Sequence, residues 1–243
     1  PTGGELKTTE LPSDGEGILA KLTSFWSMNE TSGSRQDSIG SNHLSVSGSV
    51  STADGVRGTG DTAAAFTGSG ALVAADSASL SVPSGGAHCL FGWVKVASNS
   101  GTQFMAAKWD ALGASSLEYA ISLQGGTVYG QNGGGGYSNA AVSPPAAGTW
   151  MFQILWRDPA DGKVRMQLNN GAVATSSNAS NPSDTSTYFA FGQAGSNTIG
   201  RATMTMQRWG WIKGAILTAQ EREWPYNSGQ GRTFAEIQAA ATP

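Results

Sequence analysis

Residues 148–173, GTWMFQILWRDPADGKVRMQLNNGAV, restrict the fold more than any other part of the chain. Two apolar runs, 151–156 and 164–168, flank Asp158-Pro159-Ala160-Asp161-Gly162. That cluster is a turn by its chemistry, because Pro fixes φ, Asp bonds nearby backbone and Gly accepts positive φ. The second run ends at Asn169-Asn170-Gly171. Asn-Gly is a strong hairpin signal, since a type I′ turn needs positive φ at both central residues. Three antiparallel strands in succession are expected. In the middle one Val164, Met166 and Leu168 alternate with Lys163, Arg165 and Gln167, so one face is buried and the other wet.

The rest of the chain fits an all-β reading. It has 243 residues and no linker near its middle, which predicts one domain. Charged residues are 13% of the total, well below the usual ~25%. Gly, Ser, Thr and Ala take their place, a composition suited to short strands and tight turns. The 14 Lys and Arg are dispersed and the net charge is −3, so there is no electrostatic footprint for nucleic acid. Cys89, alone in its type, sits in CLFGWVKV and reads as a small buried hydrophobe. No apolar run approaches the ~18 residues of a membrane helix, so no membrane insertion is expected. The opening residues, PTGGELKTTELPSDGEG, are polar and unlike a signal peptide. Pro1 is what removal of an initiator Met leaves, as expected of a product released into the cytoplasm of the producing cell, and a cleaved leader would leave the same start.

Residues 1–17 read as an extended arm and residues 18–243 as the domain. Strands are predicted over 19–28, 63–66, 71–74, 80–82, 88–96, 104–108, 119–123, 188–191, 197–199 and 204–212, in addition to the central meander. Residues 88–96 are almost continuously apolar, as in a strand covered on both faces. The run GQNGGGGYSN after Val128-Tyr129 and the run TSSNASNPSDTST read as loops. Thr218 with Glu221, and Thr233 with Glu236, are capping boxes that open two short C-terminal helices, the first over 219–224 and stopped before Pro225.

In order, FWSMNETSG with DSIGSN, GVRGTGDTAAAFTG, LFGWVKV, the meander, NTIGR and ILTAQEREWPYNSG resemble the concanavalin A-like lectin/glucanase superfamily in its laminin-G-like branch, over residues 19–228. The resemblance implies a jelly-roll sandwich of two antiparallel sheets, used mostly to bind glycans or protein surfaces. It departs from the family before the LTAQE segment. There the family's acidic pair is replaced by Met206-Gln207-Arg208-Trp209-Gly210-Trp211. That leaves no clear cofactor or calcium motif, with Asp37, Asp61, Asp76 and Asp110 as the remaining oxygen donors.

Glycoside hydrolysis needs two carboxyl groups across one cleft. The E-x-D-x-x-E pattern of the glucanases does not occur here, and His43 and His88 have no nucleophile elbow beside them. The chain therefore reads as no enzyme. Candidate ligand-binding residues are Trp109 and Asp110 in a polar tip, Tyr129, Asn132 and Tyr137 around the glycine run, and Trp209 and Trp211. Aromatic rings stack on sugar C–H faces, and side-chain amides bond hydroxyls. Trp209 and Trp211, two apart, share one sheet face opposite Met204, Met206, Arg208 and Ile212; the resemblance implies that they point outward, and a one-residue slip would turn them inward. Exposed, they would be a stacking platform or a subunit contact; buried, they would be core.

The leading expectation is a non-catalytic structural or adhesion protein displayed on a virion, as a capsid decoration or tail component. It would dock on an assembly partner through the N-terminal arm, or on further copies of itself, and would present its surface to glycans or a host surface. The alternatives are an extracellular carbohydrate-binding lectin and, third, a polysaccharide hydrolase. A chain of this type has 243 residues, enough to bury a core on either reading.

Overall fold

The computed structural model describes residues 14–110, 113–134, 136–182, 184–195 and 199–241. Two antiparallel sheets face each other as a sandwich. In spatial order the first holds β13 (Ala174–Ala179), β12 (Lys163–Leu168), β11 (Met151–Arg157), β6 (His88–Val96), β15 (Thr203–Lys213), β4 (Gly58–Thr67) and β3 (Val50–Gly55). The short β1 (Ser24–Trp26) pairs with the far half of β15. The second holds β10 (Ser138–Val142), β9 (Thr127–Asn132), β8 (Tyr119–Gln124), β7 (Thr102–Lys108), β14 (Phe189–Phe191), β5 (Ala71–Ala74) and β2 (Ser45–Ser47). Helices α1 (Asp14–Lys21), α2 (Ala219–Tyr226) and α3 (Phe234–Ala240), with two short 3-10 turns at Ala114–Ser116 and Asn227–Gly229, complete the described elements. None of them is long and apolar enough to cross a membrane.

The meander forms as its pattern dictates. β11 pairs with β12 and β12 with β13, and Val164, Met166 and Leu168 enter the core between the sheets. The β12–β13 turn differs by one residue from the Asn-Gly reading. Asn169 and Asn170 carry the positive φ values, 48° and 58°, and Gly171 N–H closes the turn on Leu168 O at 2.8 Å. Asn tolerates the left-handed region well enough to fill both central positions. β6 is covered on both faces, as its apolar run requires. Leu90, Val94 and Val96 point into the inter-sheet core, while Cys89, Phe91 and Trp93 point into a second layer beneath the helices.

That second layer explains the C-terminal helices. Both capping boxes form: Thr218 Oγ1 accepts Glu221 N–H at 3.2 Å, and Thr233 Oγ1 accepts Glu236 N–H at 3.2 Å. The helices lay Ile237, Phe234, Trp224 and Tyr226 on the outer face of the first sheet, where Tyr226 stacks on Trp93 and Phe234 on Phe25. Glu221 also receives Lys21 Nζ at 2.5 Å, which ties α1 to α2. Burial raises the Glu221 carboxyl, but the hydrogen bonds from Lys21 and Thr218 and the Lys21 charge together outweigh it and hold the group below its usual range.

Several expectations are corrected. Residues 19–28 are not one strand: Ile18, Leu19 and Leu22 pack as a helix face, and only Ser24–Trp26 pair with β15. Helix α1 begins at Asp14, so the arm boundary at 17 falls inside it; residues 1–13 of the expected arm lie outside the described residues. Residues 80–82 form no strand, although Leu80 and Val82 are fully buried. The glycine run is shorter than expected, because Gly130, Gln131 and Asn132 continue β9 and Ser138 opens β10. Part of the second expected loop is β13. Helix α2 runs through Pro225 to Tyr226 and ends on left-handed Asn227 (φ 49°). Of the strand expected over 197–199, residues 197 and 198 lie outside the described residues.

Trp209 and Trp211 are both fully buried in the inter-sheet core, on the same side as Met204 and Met206. A β-bulge between Gln207 and Gly210 makes this geometry, with Arg208 at its apex in the left-handed region (φ 56°). One inserted residue reverses the alternation, so odd positions after the bulge take the face that even positions held before it. Arg208 is fixed by two 2.8 Å bonds to the Asp61 carboxylate and by donation to Gln230 O at 2.9 Å.

Candidate functional site

The candidates at the second sheet divide between its two faces, and Trp209 and Trp211 lie on β15 of the first sheet. β8 and β9 are paired so that Ser122 lies opposite Tyr129 and Tyr119 opposite Asn132. Tyr119, Ile121 and Leu123 belong to the inter-sheet core. Tyr129 therefore points outward with Ser122, and Asn132 points inward with Tyr119. Asn132 is fully buried: its Nδ2 bonds Glu118 O at 2.6 Å and His88 Nε2 at 3.1 Å. It orders the core and does not meet solvent. Trp209 and Trp211, buried behind the bulge, are likewise core residues and no stacking platform.

On the outer face four polar side chains form a row across three strands. Gln124 Nε2 donates to Ser122 Oγ at 2.9 Å, Ser122 Oγ to Gln131 Oε1 at 2.7 Å, and Gln131 Nε2 to Asn139 Oδ1 at 3.2 Å. Half-exposed Tyr129 lies beside Ser122 in register, and Asn139 and Ala141 are exposed on β10. Ser122 is fully buried and Gln131 nearly so, and they align the accessible Gln124 and Asn139 on either side of them. An aromatic ring beside accessible amides can stack on a sugar face and bond its hydroxyls. Gln131 and Asn139 belong to the run GQNGGGGYSN, whose amides flank Tyr129 and Tyr137 in the sequence. Ser122 and Gln124 were missed, although their alternation with Ile121 and Leu123 in YAISLQ is the signal that marks them as outward.

Trp109 is 8% exposed, so it is a wall of this region and no protruding platform. It packs on Phe104 in a small outer cluster with Ala107, Leu117, Ala120 and Ala194, and its Nε1–H donates to Gly113 O at 2.8 Å. A bulge between Phe104 and Ala106 turns Phe104 outward to meet it. Tyr137 stands edge-on to Trp109, centroids 5.9 Å apart, and is 44% exposed. Asp110 accepts Ser116 Oγ–H and so braces the turn below Trp109.

The acidic residues are scattered and engaged. Asp37 accepts backbone N–H groups of Phe25, Ile39 and Asn42 at 3.0–3.1 Å. Asp61 holds Arg208, Asp76 pairs with Lys108 at 2.8 Å, and Asp110 holds Ser116. Among the described residues no group of three His, Cys, Asp or Glu could hold a metal ion. Glu118 is fully buried and bonds Lys108 Nζ at 2.5 Å, Val82 N–H at 2.9 Å and Thr185 N–H at 2.8 Å. Burial, with the neighbouring Glu118 and Asp76 charges, pushes the Tyr119 hydroxyl well above its ordinary value. Burial lowers His88 to about 3, so it is a neutral core group, and burial pushes the Cys89 thiol up, as fits an inert hydrophobe.

No protein-family model matches the sequence, and no curated protein matches it. Solved structures do share its fold. The binding domain of botulinum neurotoxin serotype C1 superposes with a TM-score of 0.65 at 11% identity, covering 88% of this chain and 53% of that one. The binding domain of Paraclostridial Mosquitocidal Protein 1 gives 0.65 at 12% identity, over 86% and 53%. The binding domain of botulinum neurotoxin DC in complex with SialylT gives 0.64 at 11% identity, over 88% and 52%. The likeness establishes a lectin-like β-sandwich of the jelly-roll type. The chain spans about half the length of these solved domains.

Proposed function

We propose that this chain is a non-catalytic binding domain that presents the outer face of its second sheet to a glycan or a host-surface ligand. The observation that carries the reading is the accessible set Gln124, Tyr129 and Asn139, with the two amides aligned by the buried Ser122–Gln131 hydrogen bond between them. The neighbouring folds support it: all three are binding domains, and one holds SialylT. Hydrolysis finds no support, because Glu118 is fully buried on Lys108 Nζ, and the second carboxyl on that amine, Asp76, is ion-paired with it and not set across an open cleft from Glu118.

Display on a virion surface, as a decoration or tail component, is the setting we propose, with residues 1–13 as the segment that docks on the assembly partner. Their polar composition supports a role as a peptide laid on another surface. An extracellular lectin is the second reading, favoured by the toxin binding domains that share the fold. A single experiment tests the common core of both. The protein is mixed with a panel of insoluble polysaccharides and glycan-bearing cells, and bound protein and released reducing ends are measured together. Binding without release is expected. Release of reducing ends overturns the non-catalytic reading, and no binding to any surface overturns the ligand reading.

A further inference from the structure

A cleft of about 290 Å³ lies away from the sheet face just described, where the β12–β13 turn meets the C-terminal segment. Its walls include Asn170, Glu223, Trp224, Asn227, Ser228 and Arg232. The volume is close to the ~300 Å³ at which small-ligand pockets begin.

Arg232 is held in a fixed pose. Its guanidinium lies 4.4 Å from the centroid of the Trp224 ring, and its Nε donates to Trp224 O at 3.1 Å. These contacts leave both Nη nitrogens without a hydrogen bond among the described residues. A stacked, anchored guanidinium with two parallel donors open is the geometric complement of a carboxylate. Across the cleft, exposed Glu223 accepts Asn170 Nδ2–H at 3.2 Å, and these groups with Asn227 offer acceptors and donors for hydroxyls. The backbone between them is strained. Asn227 and Ser228 hold left-handed φ values of 49° and 52°, ahead of Gly229 at 90°. Two consecutive non-glycine residues in that sparsely populated region persist only where the surroundings over-determine them. Here the strained turn forms the wall beside Arg232.

We propose that this cleft binds a carboxylate-bearing sugar, with the carboxylate on the Arg232 fork and the ring hydroxyls on Asn170, Glu223 and Asn227. A neutral sugar leaves the fork unused, and a small bare anion leaves the amide wall unused. The site extends the binding reading to a second ligand and stands or falls independently of the second-sheet face. Glu223 sets the affinity in the opposite sense to Arg232, because its charge repels the ligand's carboxylate.

The test is a titration of the isotope-labelled protein, followed by amide NMR, with sodium glucuronate, glucose and acetate as separate probes. Glucuronate is expected to shift Asn227, Ser228 and Gly229 and the Arg232 Nε–H, while glucose and acetate at the same concentration leave them in place. Arg232→Gln is expected to weaken glucuronate binding about ten-fold, and Glu223→Gln to tighten it. The proposal is overturned by unmoved cleft resonances, by equal shifts with acetate, or by an Arg232→Gln affinity equal to that of the native protein. Should Arg232→Gln not fold, the sign of the Glu223→Gln effect decides alone, and weaker binding there overturns the proposal. Glucuronate shifts confined to Tyr129 and Asn139 would support the sheet face and overturn the cleft.

Discussion

The Trp209 indole lies directly on the backbone of Gly92: a Cβ placed at Gly92 would stand 2.3 Å from its ring. Trp209 Nε1–H also donates to Trp93 O at 3.2 Å, so the indole crosses β6 at the one position with no side chain. A reciprocal gap exists at Gly210, where a Cβ would stand 2.2 Å from Phe91. These two glycines let a bulged strand bury two tryptophans beside two methionines.

Gly92→Ala is accordingly expected to destabilise the domain by ~3 kcal/mol, the upper range for overpacking a core. Gly136→Ala, at a position with open space around it, should be near neutral. Urea denaturation midpoints of the two variants check this, and equal midpoints would mean that Trp209 repacks without strain.

His88 gives a pH signature. Its folded pKa of about 3 lies below the ordinary 6.5 because burial disfavours the charged ring. Below pH 6.5 the unfolded chain binds a proton that the folded chain does not, so stability is full above pH 6.5 and falls as pH drops toward 3. The slope from this group is ~1.4 kcal/mol per pH unit. His88→Gln should remove that part of the slope between pH 6.5 and 4.5. Stability curves measured by urea at pH 7.5, 5.5 and 4.5 test it, and parallel curves for the two proteins would show that His88 is protonated in the fold.

The buried pair Lys108–Glu118 has both side chains fully out of solvent, 2.5 Å apart. Removing one partner leaves a buried charge and costs about 3–5 kcal/mol, whereas removing both together costs much less. Lys108→Met is expected to be severely destabilising, and Lys108→Met with Glu118→Gln to recover most of the loss. A thermal-melt double-mutant cycle reads the coupling, and additive losses would contradict it.

Much of this architecture was legible in the residues. Alternation along 163–168 and the unbroken apolar run of 88–96 report burial on one face and on two, and both signals are local. The capping boxes at Thr218 and Thr233 are equally local, since each needs only four residues. What failed was non-local. Parity along 203–213 predicts Trp209 opposite Met206, and nothing within the strand announces the extra residue at Arg208. The pairing partner does, because Gly92 marks where a large ring must cross. The site suffered in the same way. Tyr129 and Asn132, three apart on one strand, take opposite faces by alternation, but only the β8–β9 register, opposite Ser122 and Tyr119, decides which of them points inward. Trp109 reads as polar-tip from its neighbours, yet Phe104, brought outward by a bulge, draws it down.

The most direct test of the binding account is the affinity of one polysaccharide or cell-surface ligand for the native protein, Tyr129→Ala and Asn139→Ala, each checked for an unchanged melting temperature. The outer-face account predicts about ten-fold weaker binding for Tyr129→Ala, the loss of one stacked ring and its hydrogen bond, and a smaller loss for Asn139→Ala. Unchanged affinity in both variants, with the fold intact, would contradict it and move the ligand to another surface.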